Sequence, residues 1–390
     1  MLPVFKKSIP TACAALLLAS APASAALITQ TNLVSNVAGL AAITDADLVN
    51  PWGFSHSATS PFWTSNQGTG STTLYNVTGP TGTTVTKNNI NPPTGHVLIP
   101  TTASGPQGPT GQVFNPNATG FLVGNGGNGN KGNFIFANLN GTISAWNSGP
   151  SAIVQAQVQG AIYTSLAINQ ASTQLYAANA ASGAIDVFNS SFGQVVVGPG
   201  AFATPPAIGA MGLVPFNTQD IGGKLYVTYA PQGLNAQRNA TGGQGAVAVF
   251  DEATGVLLNT IINGELASPW GVAVAPAGFG NFGGALLVGN FSFLESEINA
   301  FDSITGAFMG SIPIATGSAT AGGLWAIGFG TGGNNGNPNT LYFLDGINGE
   351  TGGLFGAITA VPEPATVALF SIGLMGLGLM VLRRRKAKAL

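Results

Sequence analysis

Residues 268–312 carry the reading of the whole chain: Ser268-Pro-Trp-Gly-Val-Ala-Val-Ala-Pro276, then Gly283-Gly-Ala-Leu-Leu-Val-Gly-Asn290, then Glu297-Ile-Asn-Ala-Phe-Asp-Ser-Ile-Thr-Gly-Ala-Phe-Met-Gly-Ser-Ile312. Four short apolar runs are separated by turn residues at 276–284, 290–292 and 303–306. Runs of this length with period-two alternation and Gly, Pro, Asn or Asp boundaries are strands. The third run ends in an aromatic residue followed by Asp, and that ending recurs. It appears as Ala184-Ile-Asp-Val-Phe-Asn189 and Ala246-Val-Ala-Val-Phe-Asp251, and in weaker form at 142–147 and 73–76. The Asn or Asp opens a turn that Gly often completes.

A more apolar strand precedes each copy, at 62–66, 134–138, 175–179, 225–228, 286–290 and 341–345. Near-continuous hydrophobicity means that both faces are covered. Ahead of these lie candidate innermost strands at 51–54, 111–114, 165–168, 211–214, 270–274 and 324–327. Six copies of a three-strand unit, each with room for a fourth strand, predict an all-β, six-bladed β-propeller over residues 26–360. The spacing is too irregular for a strict solenoid. An irregular β-sandwich or jelly roll is the competing architecture. The last unit lacks a fourth strand, while Leu27-Ile-Thr-Gln-Thr-Asn-Leu-Val34 has strand character and no nearby partner. This segment is expected to supply the missing strand and close the ring, removing two exposed edges.

Charge is scarce: Asp, Glu, Lys and Arg make up 6% of the chain, and Gly numbers 57. Between residues 26 and 360 only Lys87, Lys131, Lys224 and Arg238 are basic, against twelve acids, so that region carries 4 − 12 = −8. Four scattered bases make no nucleic-acid footprint. The single cysteine, Cys13, excludes a disulfide framework.

Both ends read as addresses. Residues 1–25 have the form of a secretory signal peptide: Lys6 and Lys7, an apolar run over 11–20, and Ala23-Ser24-Ala25, which predicts cleavage between Ala25 and Ala26. At the other end, Pro362-Glu363-Pro364 precedes an uncharged stretch over 365–382 and then Arg383-Arg384-Arg385-Lys386. The apolar stretch is long enough to span a bilayer, and the basic residues would keep 383–390 in the cytoplasm. The order of these parts over 361–390 resembles the PEP-CTERM sorting tail of Gram-negative bacteria that make extracellular polysaccharide. That resemblance implies secretion machinery and an exosortase as partners. It further implies an inner-membrane-anchored intermediate facing the periplasm, and a cell-surface or extracellular destination. The body resembles an uncharacterised family of exported propellers similar to those built of NHL-type repeats. The likeness rests on Gln30-Thr-Asn-Leu-Val-Ser, Asn50-Pro-Trp-Gly-Phe, Gly223-Lys-Leu-Tyr-Val-Thr-Tyr-Ala, Leu286-Leu-Val-Gly-Asn-Phe and Gly352-Gly-Leu-Phe-Gly. It implies a fold, but no reaction.

Motif chemistry is thin. His56 and His96 fall in different repeats without a metal-ligand spacing, so structural or surface roles are expected for both. Asp45-Ala-Asp47 and Glu295-Ser-Glu297 could hold calcium through oxygen ligands, but no EF-hand loop follows, and cap or turn roles fit better. There is no G-x-S-x-G elbow, and the Gly-rich segment at 124–130 lacks the Lys-Ser/Thr of a phosphate loop. No cofactor, metal site or catalytic residue is expected. One constellation follows from propeller geometry, because innermost strands begin and second strands end on one face beside the axis. Those positions are Asn50, Trp52, Asn66, Asn138, Asn179, Ser268, Trp270, Asn290, Trp325 and Asp345. Amides meet hydroxyls, and indole faces cover apolar sugar faces. The expectation is therefore a surface or matrix propeller with a binding or structural role, associated with exopolysaccharide. An NHL-like lyase or lactonase with a metal in the channel is the alternative.

Overall fold

The computed structural model describes residues 27–102 and 105–361. The expected leader, its cleavage site at Ala25 and Ala26, the Pro362-Glu363-Pro364 motif, the span 365–382 and the basic end lie outside the described residues. Six antiparallel sheets are arranged as blades. Blade five is the opening stretch itself: Pro269–Val274, Leu286–Asn290, Glu297–Phe301 and Phe308–Pro313, paired in that order from the axis outward. Blade one begins at Pro51–Ser55, and its third strand, Ser71–Thr78, pairs with two outer pieces, Thr84–Asn88 and His96–Leu98. Blades two, three and four begin at Pro109–Phe114, Ala167–Ile168 and Leu213–Asp220.

Blade six is built from both ends of the described chain. Leu324–Phe329, Thr340–Asp345 and Leu354–Val361 come from the end, and Leu27–Ser35 pairs antiparallel with the last of them. Leu27 lies opposite Val361, and Ser35 lies opposite Leu354. The expected closing strand therefore forms. Ile43–Thr44 then adds a short parallel piece outside it.

The core sits between blades. Six apolar clusters occur among the described residues, one at each junction of neighbouring blades; Leu33, Val34, Tyr75, Tyr342 and Phe355 belong to the junction of six with one. This explains the continuous hydrophobicity of the second strands, which are sandwiched on both faces. Towards the axis the innermost strands approach backbone to backbone. A Cβ on Gly111 would lie 2.1 Å from Leu166 N, and one on Gly271 2.4 Å from Trp325 O. Glycine at these positions is what lets neighbouring strands pack this closely.

One element differs from the sequence reading. The innermost strand of blade four is Leu213–Asp220, not 211–214. Pro215-Phe216-Asn217 there takes the register of Pro-Trp-Gly elsewhere: Pro215 lies opposite Tyr229 as Pro269 lies opposite Asn290. The apolar Met211 suggested an earlier start, but Met211 is exposed.

Leu33 is fully buried at the closing junction. Leu33→Ala should cost about 2–5 kcal/mol, the range for truncating a buried leucine. Removing residues 27–35 should lower the melting temperature further by opening the ring. Thermal unfolding followed by circular dichroism checks both; unchanged melting after the deletion would contradict closure.

Candidate functional site

The ten residues expected at a ligand face are all buried; Asn179 is the most exposed of them, at 5%. They fall into two groups. Trp52, Trp270 and Trp325 meet on the axis. Trp52 and Trp325 stack with ring centroids 3.7 Å apart and planes 19° apart, and Trp270 sets its edge against Trp325 at 5.7 Å. Trp52 of blade one also touches Phe216 of blade four at 6.5 Å, a contact across the ring. These side chains, with Phe291 4.2 Å from Trp325, plug one end of the channel. Asn50 and Ser268 precede the plug tryptophans in the sequence. Both hold left-handed backbone, with φ of 43° and 48°.

The amides form the second group, at the ends of the second strands. Asn66, Asn138 and Asn290 lie opposite the first residues of the innermost strands, Asn179 bridges Tyr163 ahead of the innermost strand of blade three, and Asp345 lies opposite Leu324 in blade six. Three of the four asparagines are bonded to the chain entering a blade. Asn290 Oδ1 accepts from Ala267 N at 3.1 Å, and its Nδ2 donates to Glu265 O at 2.9 Å. Asn138 Nδ2 donates to Pro100 O, and Asn179 Oδ1 accepts from Ile162 N. Asn66 instead bonds Thr64 and Thr73 within its own blade. These amides therefore serve as internal braces. Asp345 departs from the pattern. It is fully buried, neither carboxylate oxygen has a hydrogen-bond partner among the described residues, and burial pushes its carboxyl up to about 7.

An ion pair bolts the plug in place. Arg238, from the loop between the second and third strands of blade four, forks onto Glu350 of blade six, with Arg238 Nε 2.7 Å from Glu350 Oε2. The Arg238 guanidinium also lies over the Phe293 ring at 5.5 Å. Glu350 Oε1 accepts from Asn50 Nδ2, whose Oδ1 accepts from Trp325 Nε1 at 2.9 Å. Burial pushes the Glu350 carboxyl up, and Arg238 opposes that shift.

The other end of the channel is open. A funnel of about 520 Å³ is lined by residues along and after the innermost strands, among them Ser55, His56, Gln112, Val113, Ala167, Asn169, Gln170, Asn217, Gln219, Asp220, Ala273 and Gly328. Trp270 lines it too. Its width follows from the glycines and alanines on the inner strands. Two titratable groups face it. His56 has its pKa lowered by burial, so it is neutral at pH 7; its Nδ1 lies 3.0 Å from Ser57 O, and the Phe329 backbone also bonds the ring. Burial first, and then the nearby Glu252, push Asp220 up to about 8. His96, by contrast, sits on the rim of blade one, with Nδ1 3.1 Å from Asp47 Oδ2, while Lys87 bridges Asp45 and Asp47. No cluster of three or more metal-ligating side chains occurs among the described residues.

The architecture is that of a six-bladed β-propeller with a one-ended channel. Residues 360–386 match the PEP-CTERM protein-sorting motif, which marks a chain exported and sorted by an exosortase in Gram-negative bacteria. Two uncharacterized proteins of Acanthamoeba polyphaga mimivirus are similar along much of the body. One is 31% identical over 281 residues, covering 69% of this chain and 66% of the relative. The other is 29% identical over 299 residues, covering 73% and 74%. This chain thus spans just under two thirds of the first relative. Among solved structures, a streptogramin B lyase matches with a TM-score of 0.50 at 10% identity, covering 86% of this chain and 98% of that one. At that identity the likeness is one of fold. Among the described residues no helix is long and apolar enough to cross a membrane.

Three variants test these assignments. Because the folded-state pKa of Asp345 is raised, the stability tied to its proton is complete below the ordinary carboxylate pKa. It is lost as pH rises through about 7. Asp345→Asn should therefore raise the melting temperature at pH 8 and change it little at pH 4. Arg238→Ala leaves the buried Glu350 carboxylate without its cation and should cost about 3–5 kcal/mol in denaturant unfolding. Arg238→Ala combined with Glu350→Gln should recover part of that loss.

Proposed function

We propose that this chain is an exported binding propeller of the cell surface or extracellular matrix, and that its funnel seats a neutral, hydroxyl-rich ligand, a segment of extracellular polysaccharide. The observation that carries the reading is the funnel wall. It offers the exposed amides of Gln170 and Gln219 and the hydroxyl of Ser55, no lysine or arginine, a neutral histidine and an aspartate whose carboxyl burial pushes up. Such a wall can exchange hydrogen bonds with hydroxyls without desolvating a fixed charge. Of the residues expected from sequence at a ligand face, Trp270 is the one that lines the funnel, and it would form part of its floor. The sorting motif supports an extracellular setting, where such a polymer is at hand.

A second reading, a propeller lyase or lactonase, has one observation in its favour. His56, its pKa lowered by burial, and Asp220, its pKa raised by burial, both line the same funnel. That pairing of base and acid is what a proton-transfer reaction uses. Elemental analysis of the purified body and loss of turnover in His56→Ala would support it.

Gln219 is exposed in the funnel. Gln219→Trp should fill the mouth, abolish retention of residues 27–361 on immobilised extracellular polysaccharide, and leave the melting temperature within a degree or two. Equal retention of both forms would remove the funnel as the binding seat.

A further inference from the structure

Strand direction fixes where the chain leaves the propeller. In blade six, Leu324–Phe329 runs from the plug to the funnel, since Trp325 belongs to the plug and Phe329 lines the funnel. Thr340–Asp345 runs back, with Asp345 opposite Leu324. Leu354–Val361 then runs outward again, starting opposite Asp345 and passing Thr340. Val361 therefore ends on the face where the funnel opens, and Leu27, its register partner, begins there. Pro362-Glu363-Pro364 follows directly, and the uncharged stretch begins at Ala365. Four residues reach at most roughly 14 Å when fully extended.

The two faces of the propeller also differ in charge near that exit. The mouth-face loops of blades five, six and one at 56–61, 79–83, 275–285 and 330–339 contain no Asp, Glu, Lys or Arg. Asp302 is the one charged residue in the remaining loop there, 302–307, and next to it Ile304 is 83% exposed. On the plug face of the same three blades the loops carry Asp45, Asp47, Glu265, Glu295 and Glu350; Lys87 and Arg238 pair with acids there, leaving 2 − 5 = −3. An anionic lipid surface repels the second face and tolerates the first.

We infer that the funnel face around blade six is the surface laid against the bilayer while the sorting tail is attached, so that the funnel opens to bulky ligands only after sorting removes the tail. The inference rests on reading 365–382 as a membrane span and the funnel as the binding seat. A short tether and a nearly uncharged, partly apolar face hold the mouth towards lipid. Cleavage at the tail frees the propeller to turn. A polysaccharide too large to slip between the propeller and the membrane then gains access.

Site-directed thiol labelling tests the orientation without using the ligand. The only native cysteine is Cys13. In a Cys13→Ser background, Ala58→Cys and Ser303→Cys report on the mouth face, and Thr351→Cys reports on the plug face of blade six; all three positions are exposed. The full chain is reconstituted in vesicles of phosphatidylethanolamine and phosphatidylglycerol and treated with a polyethylene-glycol maleimide of about 5 kDa. Each rate is divided by that of the same variant ended at Val361, which contains the whole closed ring. Ala58→Cys and Ser303→Cys should label about ten-fold more slowly when tethered, and Thr351→Cys at an unchanged rate. Equal ratios at all three positions, or a full chain that does not float with the vesicles, would overturn the inference. If protection is found but polysaccharide retention is not, the orientation stands and the ligand reading falls.

Discussion

The pairing of Leu27–Ser35 with Leu354–Val361 is the constraint on which the rest of the molecule depends. A six-bladed ring has no covalent closure and, in this chain, no disulfide to assist it. Each blade buries its apolar faces only against its neighbours, so an open ring would expose the junction of blades six and one, where Leu33, Val34, Tyr75 and Phe355 pack. The pairing also removes two unpaired strand edges at once. Because the strand comes from the start of the described chain, closure waits until the last blade is present.

Closure also organises the sparse charge. Of the four basic residues in the body, two serve as latches on the plug side. Lys87 ties Asp45 and Asp47, in the segment that links blade six to blade one, to the outer strand of blade one. Arg238 ties blade four to blade six beside the plug. Buried or half-buried pairs of this kind gain little over an apolar contact, but breaking one strands its partner. The plug, the bolt and the closing strand together leave one open end, and Leu27 and Val361, the two ends of the described residues, lie at that end.

Much of the fold was legible in the sequence because the inner three strands of a blade are packed on both sides. Continuous apolar runs at Phe134–Asn138 and Leu286–Asn290, and the closing aromatics at Phe188, Phe250 and Phe301, leave strong marks. The outer strands were less legible, since Ile153–Gln157 and Leu257–Ile261 stand at the rim and need no fixed pattern. Blade four hid its inner strand because Pro215-Phe216-Asn217 replaces the Pro-Trp-Gly of blades one and five. The site was least legible. Asn138 and Asn290 have the composition of a ligand ring, yet in place they satisfy the backbone of the loops they brace. The tryptophans belong to the plug rather than to a surface. The open funnel owes its width to Gly53, Gly111, Ala167, Ala273 and Gly328, which carry no chemical signature. His56 held the one available clue, as the residue just after an innermost strand.

Hydrogen–deuterium exchange of the backbone amides of Leu27–Ser35 tests the central claim most directly. The account predicts that those of these amides that donate to Leu354–Val361 exchange as slowly as those of Leu286–Asn290 in blade five, because both open only with global unfolding. Fast exchange along Leu27–Ser35, with the inner strands of all six blades still protected, would mean that the ring stands without its closing strand and would contradict the account.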